Sequence, residues 1–135
     1  MAETFQFEVA TPERLLVDQQ VTTAELPGKN GYMGVLAGHA PLLSALGAGV
    51  VSFEGGASGR QVLAIDGGFV EIFENHVRLL ADSAEYARDI QVDKARRELE
   101  EANQKLKHTH DTEESEAALR IIQRAQARLD AKGKE

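Results

Sequence analysis

The chain has no cysteine, which excludes a disulfide framework and thiolate chemistry and fits a reducing compartment. It also lacks a basic leader followed by an apolar stretch near residue 1, so no export signal is expected. No apolar run approaches the ~20 residues that a membrane-spanning helix needs. Any membrane association is therefore expected through a partner. A surplus of positive charge is missing too, since 15 Lys and Arg stand against 22 Asp and Glu, for a net charge of -7. The basic residues fall mostly after Arg88, mixed with acids, which leaves no coherent cationic face for nucleic acid.

A catalytic set is equally absent from the pattern. His39 has neither a serine nucleophile with a second partner nor a telling carboxylate pair beside it. It reads as a loop histidine bonding to backbone or to a partner protein. His108 and His110 lack further metal ligands and read as part of a solvated turn. The glycines at 31, 34 and 38 are not followed by the Lys-Ser/Thr of a phosphate loop. The chain is not expected to be an enzyme.

What is present divides into two halves with two periods. From Phe5 to Ala81 apolar residues recur at period two in short runs: Phe5, Phe7 and Val9, then Val50 to Phe53, Val62 to Ile65, Phe69 to Phe73 and Val77 to Leu80. Turns are expected at Glu54 with Gly55 and Gly56, at Asp66 with Gly67 and Gly68, and at Glu74 with Asn75 and His76. Many short antiparallel strands with such turns predict a β-sandwich or barrel. After Ser83 the period changes. Val92, Ala95, Leu99, Ala102 and Leu106 form one helical stripe, and Ala118, Ile122, Ala125 and Leu129 form a second. Asp111 or Thr112 caps the second helix, so two antiparallel helices zip along alternating small and large residues. A hairpin this short buries little area, so this half should detach or refold easily.

Residues 31–43, GYMGVLAGHAPLL, are an apolar run punctuated by glycine. Two readings stay open: a loop between sandwich strands, or an exposed contact loop with Tyr32 and Met33 as apolar anchors. Arg120, Arg124, Arg128 and Lys132 recur every four residues as a basic row on the second helix, either a solvated face or a contact surface.

That block, the order of the two halves and the segment VDKARR at 92–97 together resemble the epsilon subunit of bacterial F-type ATP synthases, along essentially the whole chain. The resemblance implies an N-terminal antiparallel β-sandwich, residues 1–84, and a C-terminal antiparallel two-helix hairpin, residues 88–133. It implies a noncatalytic rotor subunit of the central stalk that couples proton flow to ATP synthesis. The sandwich would bind the gamma subunit and the c-ring, with Tyr32, Met33 and His39 in contact. The hairpin would regulate, its extended form reaching the alpha and beta subunits of the catalytic head through Arg120, Arg124 and Arg128 and inhibiting ATP hydrolysis. Asp93 and Arg96 are similar to the family's nucleotide motif, and Arg124 and Arg128 look like the arginines that complete it, although Arg97 stands where the motif has Ala. A regulatory ATP is thus implied, with no required cofactor. The implied location is peripheral, on the cytoplasmic face of the inner (plasma) membrane. From other classes, a small-ligand-binding sandwich needs convergent polar groups in a cavity, and a coiled-coil adaptor unrelated to ATP synthase needs longer heptads.

Overall fold

Strict alternation builds the first strand. In β1 (Phe5–Ala10) Phe5, Phe7 and Val9 are buried and the residues between them are not, the mark of a strand with one face in a core. The strand β7 (His76–Ala81) repeats it with Val77, Leu79 and Ala81 inward. With β2 (Leu15–Val21), β3 (Thr23–Gly28), β4 (Gly31–Leu36), β5 (Leu42–Glu54) and β6 (Arg60–Phe73) they form a sheet of order β2-β1-β7-β6-β5-β3-β4, and β8 (Ala84–Tyr86) pairs with β6. The computed structural model describes residues 3–56 and 59–135; the expected turn at Glu54 to Gly56 follows β5 and runs into Ala57 and Ser58, which lie outside the described residues.

The sheet is mixed, not wholly antiparallel as expected. β1 runs parallel to β7 and every other pair is antiparallel. A tight hairpin forces antiparallel pairing only between neighbours in sequence. β1 receives β2 that way on one edge, whereas β7 reaches its other edge after five intervening strands.

Asp66, Gly67 and Gly68 do not reverse the chain. They lie inside β6, where Leu46↔Gly68 and Ala48↔Asp66 keep one register with β5. Gly67 and Gly68 adopt φ of +71° and +125°, which glycine reaches without a Cβ clash. The strand bends there, and its inward positions change from Leu63 and Ile65 to Val70 and Ile72. β5 makes the same change, from Leu46 to Val51 and Phe53. β7 and β8 keep a single register on β6 across their interruption at Asp82 and Ser83. The long strands therefore serve both layers of the sandwich, around a core that holds Phe5, Phe7 and Phe53. The turn at Glu74 and Asn75 is as expected, with φ of +49° and +60° between Phe73 and its partner His76.

The block at 31–43 is mostly strand. Gly31 pairs with Gly28 across Lys29 and Asn30, which commits residues 31–36 to a ladder on β3, and only residues 37–41 separate β4 from β5. Past β8 a short 3-10 turn (Ala87–Asp89) leads into α1 (Val92–His108), and α2 (Thr112–Lys134) returns. Asp111 caps α2 by accepting from the N–H of Glu113 at 2.8 Å and of Glu114 at 3.5 Å, which satisfies amides with no intrahelical partner. Ala95 and Ala102 of α1 and Ala118 and Ala125 of α2 are buried along the expected stripes. α1 packs on α2, and α2 packs on β5 and β6. The second contact rests on Ala127 and Ala131, both buried on a face outside the expected stripe.

Candidate functional site

One turn apart on α2, Arg124 and Arg128 close on the same carboxylate. Arg128 Nη1 stands 3.4 Å and Arg124 Nη2 3.9 Å from Oε2 of Glu98 on α1. Arg128 Nε is also 3.3 Å from Oε1 of Glu85 on β8, so this one guanidinium joins both helices to the sandwich. Partly exposed pairs of this kind contribute about 0–1 kcal/mol each. Two recesses meet at the Arg128–Glu85 pair. The smaller, about 110 Å³, is lined by Glu85, Asp89, Gln91, Lys94 and Arg128. The larger, about 280 Å³, has Arg14, Asp66, Glu85, Arg124 and Arg128 among its walls.

Asp93 and Arg96 are exposed and line neither recess. At 3.6 residues per turn, Lys94 and Glu98 share the flank of α1 that looks toward Arg128, whereas Arg96 falls on the other flank and Asp93 on the outer face. The structure thus brings Arg124 and Arg128 together but sets Asp93 and Arg96 apart from them. Arg120 is exposed and forms no ion pair among the described residues.

The other singled-out residues divide likewise. Tyr32 is 51% exposed, yet its hydroxyl accepts from the Val50 N–H at 2.9 Å and its ring lies 5.3 Å from the Lys134 ammonium. Met33 turns inward against the core, as alternation on a strand requires. His39 Nδ1 is 2.8 Å from the carbonyl of Ala40, and the neighbouring Gly38 N–H donates to Asn75 Oδ1 at 2.7 Å. His39 therefore bonds to backbone in a loop pinned to the β6–β7 turn.

On the layer away from the helices, Leu43, Phe69, Phe73 and Leu80 are all more than half exposed. The register sets them side by side, with Phe69 opposite Leu80 and Leu43 opposite Glu71. Soluble monomers seldom leave several large apolar side chains contiguous on one face.

Residues 4–87 match the family described as ATP synthase, Delta/Epsilon chain, beta-sandwich domain. Over 129 residues the chain is 43% identical to the ATP synthase epsilon chain of Solibacter usitatus, covering 96% of each. It belongs to the ATP synthase epsilon chain family. The epsilon chain of Nitratidesulfovibrio vulgaris is 36% identical over 98% of both chains. A chain of the Euglena gracilis mitochondrial ATP synthase, from a structure of OSCP, F1 and c-ring, shares the fold with a TM-score of 0.84 at 22% identity, covering 95% of this chain and 80% of that one. One from the Tetrahymena thermophila central stalk and c-ring has a TM-score of 0.71 at 11% identity, covering 97% and 98%.

As an epsilon family member the chain is a subunit of ATP synthase other than the catalytic one. Among the described residues no cluster of three or more His, Cys, Asp or Glu is placed to hold a metal ion, and no helix is long and apolar enough to cross a membrane. Sequence reasoning missed Glu85, Glu98 and Lys94, which carry no motif and meet Arg128 only through folding. It also missed the apolar face, for which a signal existed. Phe69 and Phe73 share strand parity with the polar Glu71, while Val70 and Ile72 fill the core.

Beside that face, Arg78 Nε donates to Glu8 Oε2 at 2.8 Å, and His76 Nε2 lies 3.0 Å from the same oxygen. The Arg78 hydrogen bond first, and His76 second, hold the Glu8 carboxyl below its ordinary range. A carboxyl lowered in the folded state stabilises fully above its unfolded pKa and loses that contribution as pH falls through the folded one. Glu8→Gln should therefore lower the urea midpoint slightly at pH 7 and leave it unchanged at a pH below both values. An equal difference at both pH values would assign the effect to packing.

Proposed function

We propose that the chain is the noncatalytic central-stalk (rotor) subunit of a proton-translocating F-type ATP synthase. The observation that carries this reading, beside family membership, is the exposed apolar face of Leu43, Phe69, Phe73 and Leu80 on a sandwich whose opposite layer is occupied by α2. In this reading the sandwich, residues 1–84, seats on the gamma subunit through that face. The end formed by Leu36, His39 and Leu43 meets the c-ring, in keeping with the c-ring in the assemblies of its structural neighbours. Attachment is peripheral, on the cytoplasmic face of the membrane, and passes through these partners.

The hairpin, residues 88–133, is the regulatory part. Packed on the sandwich it permits turnover. Released, it reaches the alpha and beta subunits of the head, where Arg120, Arg124 and Arg128 meet acidic segments and ATP hydrolysis stops. Its attachment by small alanines and partly exposed ion pairs supports a reversible contact. ATP acts as a regulatory ligand of the packed form, its phosphates drawn to Arg124 and Arg128. Asp93 and Arg96 are the motif's share of the site on α1, but in the packed hairpin they face away from that pair, and Lys94 is the α1 cation beside it. A ligand that binds only one form shifts the equilibrium by its differential affinity.

Purification of the synthase with a tagged full-length chain should recover gamma, the c-ring and the head together. Removing residues 88–135 should retain that assembly and raise ATP hydrolysis severalfold. Hydrolysis that stays at the full-length level would remove inhibition from the reading, and failure to recover gamma would remove the stalk role. Calorimetric titration with ATP, using Arg124→Ala, Arg96→Ala and Lys94→Ala, decides which α1 cation serves. Loss of heat in Arg124→Ala is expected, and no heat in the unaltered chain would end the nucleotide role.

A further inference from the structure

The end of α2 and the start of the linker to α1 share one small cluster. Ala131, fully buried, sits with Val50, Val62 and Ala64 of the sandwich and with Ala87 and Ile90 of the linker. The carbonyl of Ala87 accepts twice, from the Ile90 N–H at 3.1 Å and from the Lys132 ammonium at 3.2 Å. The chain that enters the hairpin is thus held by the last turns of the helix that ends it. Further out, Arg60 Nη1 donates to the carbonyl of Lys134 at 3.3 Å, and Lys132 pairs with Glu135 at 3.0 Å. α1 itself packs on α2, so the hairpin hangs on the sandwich by α2.

We propose that the C-terminal turns of α2 are a latch whose release creates the hairpin's own hinge. While Ala131 and Lys132 are seated, the 3-10 turn Ala87–Asp89 and Ile90 are ordered parts of the sandwich edge and cannot swing. Lifting α2 exposes Ala87 and Ile90 together and takes from the Ala87 carbonyl its ammonium donor, so the linker loosens in the same event. Three of the six cluster residues are alanine, which bury little area, so the seat is weak enough to open and close. The spacing of Ala127 and Ala131, one turn apart, keeps larger side chains from holding the helix off the sheet. This device rests on the reading of a mobile regulatory hairpin but specifies what controls it.

Hydrogen exchange of the full-length chain tests it. Ala131→Glu places an unpaired charge in the cluster and should speed exchange of the Ile90 amide and of the last two turns of α2 in step, by at least about tenfold. Amides of β1 and β7 should hold. Lys132→Met keeps the apolar stem and removes the donor to Ala87 together with the exposed pair to Glu135, and should produce a smaller rise, about threefold, at the same two places. Glu135→Gln, which removes the pair alone, should leave Ile90 unchanged. Lys132→Met decides the matter if Ala131→Glu also loses protection in β1 and β7. Leu106→Ala, at the far end of the hairpin, should leave Ile90 unchanged. A rise at the end of α2 with Ile90 still protected, or no rise in Lys132→Met, overturns the latch. In the assembled synthase Ala131→Glu should lower ATP hydrolysis. If both segments open in step while hydrolysis does not change, the latch stands and the inhibitory reading of the hairpin falls.

Discussion

Gly68→Ala is expected to cost the sandwich at least about 3 kcal/mol, a large share of the 5–15 kcal/mol typical of a domain. Two costs coincide at this position. The backbone sits at φ +125°, where an L side chain is strained, and an added Cβ would stand 2.0 Å from the carbonyl oxygen of Leu80 and 2.8 Å from Cα of Ala81. Both atoms are backbone of the paired strand β7, so relief requires breaking the ladder at Gly68↔Ala81. Because β5, β6 and the β7–β8 pair all bend at this level, the damage cannot stay local. Urea unfolding followed by circular dichroism measures it, with Gly34→Ala as the control. Gly34 has open space around the added atom and no positive φ, so its midpoint should move little. Equal midpoints for the two variants would mean that the bend tolerates a side chain and that the sandwich does not depend on it.

A second large effect is expected at the apolar face, where Phe69→Glu combined with Phe73→Glu should weaken binding to the gamma subunit by at least about a hundredfold. Burying an aromatic side chain is worth about 1.5–3 kcal/mol, and each 1.4 kcal/mol is a factor of ten in affinity. Two rings lost, with two carboxylates desolvated in their place, exceed a hundredfold on either count. Both rings are more than half exposed in the free chain, so the doubly substituted protein should fold with an unchanged urea midpoint. Leu119→Glu, on an exposed position of the hairpin, should leave gamma binding unaltered. Undiminished binding by the folded double variant would place the gamma contact elsewhere on the sandwich.

The two halves were legible in the sequence because each carries its period in residues close along the chain. Phe5, Phe7 and Val9 state a strand, Asp111 with Glu113 and Glu114 states a helix start, and the alanine and leucine stripes state a helix pair. The turn at Glu74 and Asn75 is equally local. Where two glycines could either reverse a strand or bend it, local sequence was ambiguous, and Asp66, Gly67 and Gly68 went to the bend because their partners on β5 and β7 continue in register beyond them. The glycines of the block at 31–43 are as compatible with a loop as with a strand, and pairing of Gly31 with Gly28 made most of it strand.

The candidate site was less legible. Arg124 and Arg128 stand out as a spaced pair, yet their partners, Glu85 on a three-residue strand and Glu98 on the other helix, lie 43 and 30 positions away from Arg128 in sequence. The 92–97 segment points to Asp93 and Arg96, while the rotation of α1 turns Lys94 and Glu98 toward Arg128. Composition, period and capping by themselves determined a sandwich or barrel of short strands followed by a helix pair. Those signals act between residues a few positions apart and survive in any tertiary arrangement. Only the tertiary structure decided which face of α2 meets the sheet, that Ala131 seats beside the linker, and that Phe69 and Phe73 share an uncovered surface. Each of these depends on strand order and helix rotation, which are set by packing between residues distant in the chain.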